Sequence, residues 1–367
     1  MRAIGLMSGT SMDAVDVALI ETDGETIQSF GPAAEFSYEP LERQLLREAM
    51  DSARGIIRRD DRSGVLSIAE NMLTAKHAEC VKDFTAANGV ELSSIDAVGF
   101  HGQTVIHRPG RGLTVQLGDG QALSRSLGVP VVYDFRAADM KAEGQGAPMV
   151  PVYHRALALQ AGVELPAAFV NIGGIANVTF IPEGPAESLI AFDAGPGNCL
   201  IDDWALLHTG EPVDRDARLA MAGKIDRDVL AGLIADPFFK AAPPKSLDRG
   251  SFTLDRVKGL SPADGAATLT AFTVAALAAA QHLLQVKPKV WIMTGGGVHN
   301  PHMLEGLRRV LGPAVMTADE AGFSSSYMEA QAFAYLAVRH LQSLPSSFSG
   351  TTGVSRPTIA GIQALPG

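Results

Sequence analysis

Ile4-Gly5-Leu6-Met7-Ser8-Gly9-Thr10-Ser11-Met12-Asp13 opens the chain almost at its first residue, and the alternating apolar residues Val15, Val17 and Leu19 follow it. An apolar run that ends in small and polar residues, then a run alternating with period two, is the pattern of two strands joined by a turn. Phe169-Val170-Asn171-Ile172-Gly173-Gly174-Ile175-Ala176-Asn177-Val178-Thr179-Phe180 repeats the plan one domain's length further on. Two half-molecules, each beginning with a hairpin whose turn faces a central cleft, explain the repetition. Strand–glycine–strand units that recur in any α/β chain explain it equally well.

Outward from these hairpins the chain continues to read as α/β. Further glycine-rich segments, Gly195 to Gly197 and Gly295-Gly296-Gly297, sit where strand-like runs end. Helical patterns cover Leu41 to Met50 and Val65 to Ala87. At 367 residues, two domains are expected. Hydrophobic residues are 46% of the chain, enough for a sizeable core. The most apolar stretch, Ala266 to Leu284, is broken by Thr268, Thr270, Thr273, Gln281 and His282 and is rich in alanine. It reads as a buried helix with Leu269, Phe272, Ala276 and Leu283 on one stripe, not as a membrane span.

A net charge of −10 argues against a basic face for nucleic acid or an anionic membrane, so neither is expected as a partner. Cys80 and Cys199 make no disulfide framework and no CxxC zinc pair. The start runs straight into a strand rather than a signal peptide, and a soluble, cytoplasmic protein is expected. The tail Ser343 to Gly367, rich in Ser, Gly, Pro and Thr, reads as a surface strap without chemistry.

Several segments have the residue types that chemistry needs. Gly9 allows close backbone approach, and successive N–H groups with the Thr10 and Ser11 hydroxyls can cradle phosphate oxygens. Asp13 can hold a hydrated Mg²⁺, although an ordinary hairpin with Asp13 as its turn residue fits the same sequence. Val290 to Thr294 runs into three glycines, as a backbone lying flat against a nucleotide or a tight strand–helix turn would require. In Ala191-Phe192-Asp193-Ala194-Gly195-Pro196-Gly197-Asn198 a single carboxylate stands at a strand end before a small-residue loop. It suits a general base, or an Asx-turn or helix cap. Arg136 can fork donors to a carboxylate, and His101 and Gln103 can read sugar hydroxyls; each can equally be structural. No GxxxxGK[ST] occurs, and no GxGxxG follows a strand.

Taken together and in order, seven segments resemble the anhydro-N-acetylmuramic acid kinase family, within the actin/hexokinase/Hsp70-like superfamily. They are Gly5 to Asp13, His101-Gly102-Gln103-Thr104, Asp134-Phe135-Arg136 with Asp139, Gly144-Gln145-Gly146-Ala147-Pro148, Asn171 to Val178, Phe192 to Asn198 and Thr294 to Gly297. The resemblance spans nearly the whole chain. It implies an α/β, two-lobed actin/hexokinase-like fold (a duplicated RNase H-like fold) with an ATP cleft between the lobes. The lobes are expected at 1–135 and 136–326, with a C-terminal helix and strap, 327–367, returning to the first.

The implied reaction uses ATP with Mg²⁺. Water opens the anhydro bridge of 1,6-anhydro-N-acetylmuramic acid while O6 takes the γ-phosphate, giving N-acetylmuramic acid 6-phosphate and ADP in cell-wall recycling. By the same resemblance Asp193 is the base. Gly9, Thr10, Ser11, Met12, Asp13, Ala14, Val15 and Asp16 form the phosphate loop. Gly173, Gly174, Gly295, Gly296 and Gly297 face the nucleotide, and His101, Gln103, Arg136 and Glu329 contact the sugar. Metal ligands are not assigned, and a homodimer is left open. The sequence departs from the family pattern at Ala14 and Glu143, where glycine is usual, and at Ala321 to Ser326, where a proline-containing stretch is usual. A simple hydroxyl-directed sugar kinase and a non-catalytic ATP-dependent switch are the competing readings.

Overall fold

The computed structural model describes residues 1–9 and 12–367, so the expectations placed on Thr10 and Ser11 lie outside the described residues. The chain divides into two compact units, Met1–Ala161 with Ser326–Gly367, and Gly162–Ser325.

In the first unit β1 (Arg2–Ser8) and β2 (Ala14–Thr22) pair antiparallel from Arg2↔Glu21 to Ser8↔Val15. β3 (Ile27–Ser37) continues antiparallel beyond β2, while β4 (Ala97–Phe100) lies parallel to β1 on its other side. β5 (Gln103–Arg108) and β6 (Leu113–Leu117) form a separate ribbon, and β7 (Val131–Tyr133) runs parallel to β4. Alternation in β1 and β2 sends Ile4, Leu6, Val15 and Val17 into a core shared with Leu46, Leu73, Val81 and Phe84 of the helices Pro40–Ala53 and Val65–Ala87. The first helix starts on Pro40, whose missing N–H is no loss there, with the Glu42 carboxyl accepting the Glu39 N–H at 2.8 Å.

Helix Met328–Leu341 packs on the same sheet against β1, β2 and β4. Gly5 and Gly99 are register partners on β1 and β4. A Cβ on Gly5 would stand 1.7 Å from the Ala330 carbonyl oxygen, and one on Gly99 2.0 Å from that of Phe333. The helix backbone can lie this close to the strands only because both positions are glycine.

The second unit repeats the plan. β8 (Ala167–Ile172), β9 (Ile175–Ile181) and β10 (Ile190–Pro196) are antiparallel; β11 (Val290–Thr294) lies parallel to β8, and β12 (Val315–Thr317) parallel to β11. The order β10-β9-β8-β11-β12 is that of β3-β2-β1-β4-β7. The fold is thus α/β with one motif used twice. Helix Pro262–Gln281 is long and apolar enough by length and composition to cross a membrane, but Leu269, Phe272, Ala276 and Leu277 lie in this unit's core beside Phe192 and Trp204. Its Thr273 hydroxyl reaches the carbonyls of Pro196 (3.1 Å) and Gly197 (2.8 Å), tying it to the end of β10.

The expected boundary at 135 moves to Ala161. Helices Phe135–Lys141 and Pro151–Gln160 belong to the first unit: the Tyr153 hydroxyl donates to Gln331 Oε1 at 2.8 Å, and its ring packs tilted against Tyr335 with centroids 5.6 Å apart. The tail is not loose either, since β13 (Ile362–Ala364) pairs antiparallel with β7 and closes that edge of the sheet.

Candidate active site

The candidate side chains of the second unit lie on β10 and in the turns beside it. Asp193 lies inside β10, where the pairing with β9 shifts register between Asp193 and Gly195. The bulge re-aims the side chain. It is neither a helix cap nor a strand terminus as the sequence suggested: the next helix starts at Cys199, with Asn198 before it. A strap from the Pro243-Pro244 segment clamps Asp193 at two points. Its N–H donates to the Lys245 carbonyl at 2.9 Å, and its Oδ2 accepts from the Leu247 N–H at 2.7 Å. Burial pushes the Asp193 carboxyl up to about 6, with the Leu247 N–H and the Lys245 ammonium opposing and Asp248 adding to it. Lys245 donates to the Phe238 carbonyl at 2.7 Å and sits 4.2 Å over the Phe238 ring. Burial pulls it down to about 8. A half-buried carboxyl that titrates near neutrality, with a cation beside it, can take a proton from a reacting group at physiological pH.

Three turns of the second unit meet beside β10. Gly197 and Asn198 N–H groups donate to the Gly174 and Gly173 carbonyls (2.9 and 2.8 Å), and Asn198 Nδ2 donates to Ile172 O at 3.0 Å. Gly295, at φ 79°, leaves no space for a side chain: a Cβ would lie 2.2 Å from Asn171 Oδ1. A Cβ on Gly297 would lie 2.3 Å from Ile172 Cγ2, whereas Gly174 and Gly296 are exposed with ordinary contacts only. Gly295 and Gly297 therefore have a packing reason to be glycine. Gly174 and Gly296 have none inside the unit. These turns close the carboxyl ends of β8 and β11, where open α/β sheets bind ligands.

In the first unit, the turn between β1 and β2 has Met12 in the left-handed region (φ 55°), with its N–H bonded to Gly9 O at 3.1 Å. Ala14 is an ordinary strand residue paired with Ser37, so glycine is not required there. Val15 is buried in the core. Asp13 is exposed and ion-paired with Arg43, so of the acids in this segment it is the one that already has a cationic partner. Asp16 is the better placed acid. Half-buried on β2, it is pushed up to about 6 by burial and by the like charges of Glu35 and Glu329. Glu329, at the start of helix Met328–Leu341, keeps a solvent-accessible side chain, yet the protein around it raises its carboxyl against the pull of Arg136.

Arg136 is fixed from two sides. Nη1 donates to Gly146 O at 2.8 Å and Nη2 to His101 Nε2 at 3.3 Å. His101 donates from Nδ1 to Gly102 O at 2.7 Å, so both ring nitrogens are engaged. Burial, then Arg136, pushes it down to about 3, and the ring is neutral. Gln103 is fully buried, its Oε1 accepting from the Ser8 hydroxyl at 2.8 Å. His101 and Gln103 were expected to touch sugar. The structure instead encloses them, His101 behind Arg136 and Gln103 beneath the end of β1. Glu143, where the family pattern has glycine, sits at φ 66° with an exposed side chain. Lys245 escaped the sequence reading of the site, and Asp139, named there only within its motif, accepts the Gly146 N–H at 2.6 Å. The stiff Pro243-Pro244-Lys245 run was the available signal for Lys245.

A family model described as anhydro-N-acetylmuramic acid kinase matches residues 1–365. Curated relatives of that name include one from Nitrobacter winogradskyi, 55% identical over 367 residues, and one from Methylobacterium nodulans, 53% identical over 376, each with 100% of both chains covered. Solved structures similar to the chain include component A of (R)-2-hydroxyglutaryl-CoA dehydratase from Acidaminococcus fermentans, 13% identical with 92% and 98% coverage and a TM-score of 0.47. Another is a ROK family glucokinase from Streptomyces griseus in complex with glucose and AMPPNP, 14% identical with 92% and 99% coverage and a TM-score of 0.41.

Proposed function

The chain belongs to the anhydro-N-acetylmuramic acid kinase family, and from that premise we propose how its residues divide the family's reaction. The reaction consumes ATP, water and 1,6-anhydro-N-acetylmuramic acid. It yields N-acetylmuramic acid 6-phosphate and ADP, a step of cell-wall recycling that places the enzyme in the cytoplasm.

Asp193 is the base. Its carboxylate takes a proton from water as the water oxygen attacks the anomeric carbon. The C1–O6 bond breaks, its electrons remain on O6, and O6 forms the new bond to the γ-phosphorus as ADP departs. No separate acid is needed, because phosphorus takes the place of the proton on the departing oxygen. The Leu247 N–H fixes which Asp193 oxygen stays free, and Lys245 limits how far burial raises the carboxyl. The carrying observation is this clamped carboxyl, raised to about 6, in the bulge between Asp193 and Gly195.

Gly9 to Asp16, Gly173-Gly174 and Gly295 to Gly297 are the nucleotide-facing segments, and Arg136 and Glu329 are the sugar contacts, with His101 and Gln103 behind them. Mg²⁺ travels with ATP and neutralises developing phosphate charge. Among the described residues no three His, Cys, Asp or Glu side chains form a metal cage. One carboxylate plus phosphate oxygens and water is the usual alternative, and Asp16, crowded by Glu35 and Glu329, fits that need for a cation. Parallel assays with 1,6-anhydro-N-acetylmuramic acid and with reducing N-acetylmuramic acid test the reading. Turnover of the anhydro sugar alone is expected. Equal turnover of both makes the enzyme a simple hydroxyl-directed kinase, and ATP hydrolysis indifferent to either sugar makes it a switch.

A further inference from the structure

The C-terminal strap, silent as a sequence, enters the interior of the first unit beside Arg136. Thr352 is fully buried. Its hydroxyl donates to Asp139 Oδ2 at 2.6 Å, and its carbonyl accepts the Gln145 N–H at 2.8 Å. Asp139 is equally buried, and its other oxygen accepts the Gly146 N–H at 2.6 Å. The Gly146 carbonyl in turn accepts Nη1 of Arg136 at 2.8 Å. No slack exists along this chain: a Cβ on Gly144 would lie 2.2 Å from Asp139 Oδ1 and 2.6 Å from Val354 Cγ1.

We propose that Thr352 is a positioning residue for the kinase reaction, holding the Arg136 guanidinium in its sugar-binding orientation through Asp139 and the Gly144–Gly146 loop. The proposal rests on Arg136 being a sugar contact. Losing the Thr352 hydroxyl leaves a carboxyl oxygen unpartnered in a dry interior. Rotation of the Asp139 carboxyl toward another donor, or entry of water, relieves it. Either releases the Gly146 N–H and lets the Gly146 carbonyl drift from Arg136. The strap itself is anchored elsewhere, by Arg339 Nε on Pro345 O (2.9 Å), His340 Nδ1 with Ala360 O (2.9 Å) and β13 on β7. The lesion therefore falls on the loop and not on the docking of the tail.

The test compares Thr352→Val, Thr352→Ser, Arg136→Gln and the double variant Thr352→Val/Arg136→Gln in the full chain, with Michaelis constants for ATP and anhydro sugar measured separately. Thr352→Val should raise the sugar KM about tenfold and leave the ATP KM within about twofold, Thr352→Ser should restore most of it, and the double variant should be no worse than Arg136→Gln alone. Should Thr352→Val fail to fold, Thr352→Cys, a weak donor of similar size, takes its place. If Arg136→Gln raises the sugar KM but the folded Thr352 variant does not, the proposal is overturned and the reading of Arg136 stands. If both Michaelis constants rise together, or only thermal stability falls, Thr352 is merely structural and the proposal is overturned. If Arg136→Gln leaves the sugar KM unchanged, the reading of Arg136 fails and the proposal falls with it.

Discussion

The two hairpins differ where they turn. Five residues, Gly9 to Asp13, separate β1 from β2, whereas two, Gly173 and Gly174, separate β8 from β9. The sheets behind them keep one strand order. Their acids differ as well. The raised carboxyl of the first unit is Asp16 on the middle strand β2, crowded by other acids. That of the second is Asp193 on the outer strand β10, backed by Lys245 and the Leu247 N–H. One plan therefore yields two local environments. An acid among acids seeks a cation, while an acid beside a cation and an N–H donor can stay ionised near neutrality and act as a base. Chemistry sits in the turns and the bulge, while the strands that carry them repeat.

This contrast is open to direct attack. Asp193→Asn should cut turnover at least a hundredfold and leave ATP affinity nearly intact by calorimetry. Because the folded carboxyl is raised above its unfolded value, ionising it costs stability; the cost is complete above about pH 6 and fades as pH falls toward the unfolded value. The same variant should thus gain roughly 1–2 kcal/mol at pH 7 in chemical denaturation, and no gain at pH 4. Gly297→Ala should cost about 1–3 kcal/mol, since its Cβ would lie 2.3 Å from Ile172 Cγ2. Gly296→Ala should leave the melting temperature unchanged and raise the ATP KM several-fold, separating the glycines that pack from the one proposed to face nucleotide. In Lys245→Met the acidic limb of the kcat/KM profile, set near pH 6 by Asp193, should move up by about half to one unit. A limb that stays in place removes Lys245 from the account of the base. The smallest effect is expected for Glu143→Gly, which relieves the left-handed backbone at φ 66° and should stabilise by about 1 kcal/mol or less.

The hairpins and the helix Val65–Ala87 were legible in the sequence because their signals are local: strict alternation, glycine turns and an apolar stripe. The end of the first unit was not. The Gly- and Pro-rich stretch from Gly144 to Pro151 looks like a linker yet lies inside the unit, and what binds Tyr153 to that unit is a contact with Gln331, far along the chain. Lys245 and Thr352 were missed for the same reason, since each matters through a partner brought near only by folding, Asp193 and Asp139. Gln103 was ambiguous in the opposite sense. A polar residue at a strand start can read a ligand or brace a neighbour, and the fold shows the brace, its Oε1 accepting from Ser8 in the interior.

The central claim is that Asp193 activates a water that opens the 1,6-anhydro bridge. Reaction of ATP and 1,6-anhydro-N-acetylmuramic acid in ¹⁸O-labelled water, followed by mass spectrometry of the sugar phosphate during the first turnovers, tests it directly. The account predicts one ¹⁸O at the anomeric oxygen of the 6-phosphate, none in the phosphoryl group, and no such product from Asp193→Asn. A 6-phosphate formed without anomeric label, or labelled product from Asp193→Asn at close to the unaltered rate, would contradict it.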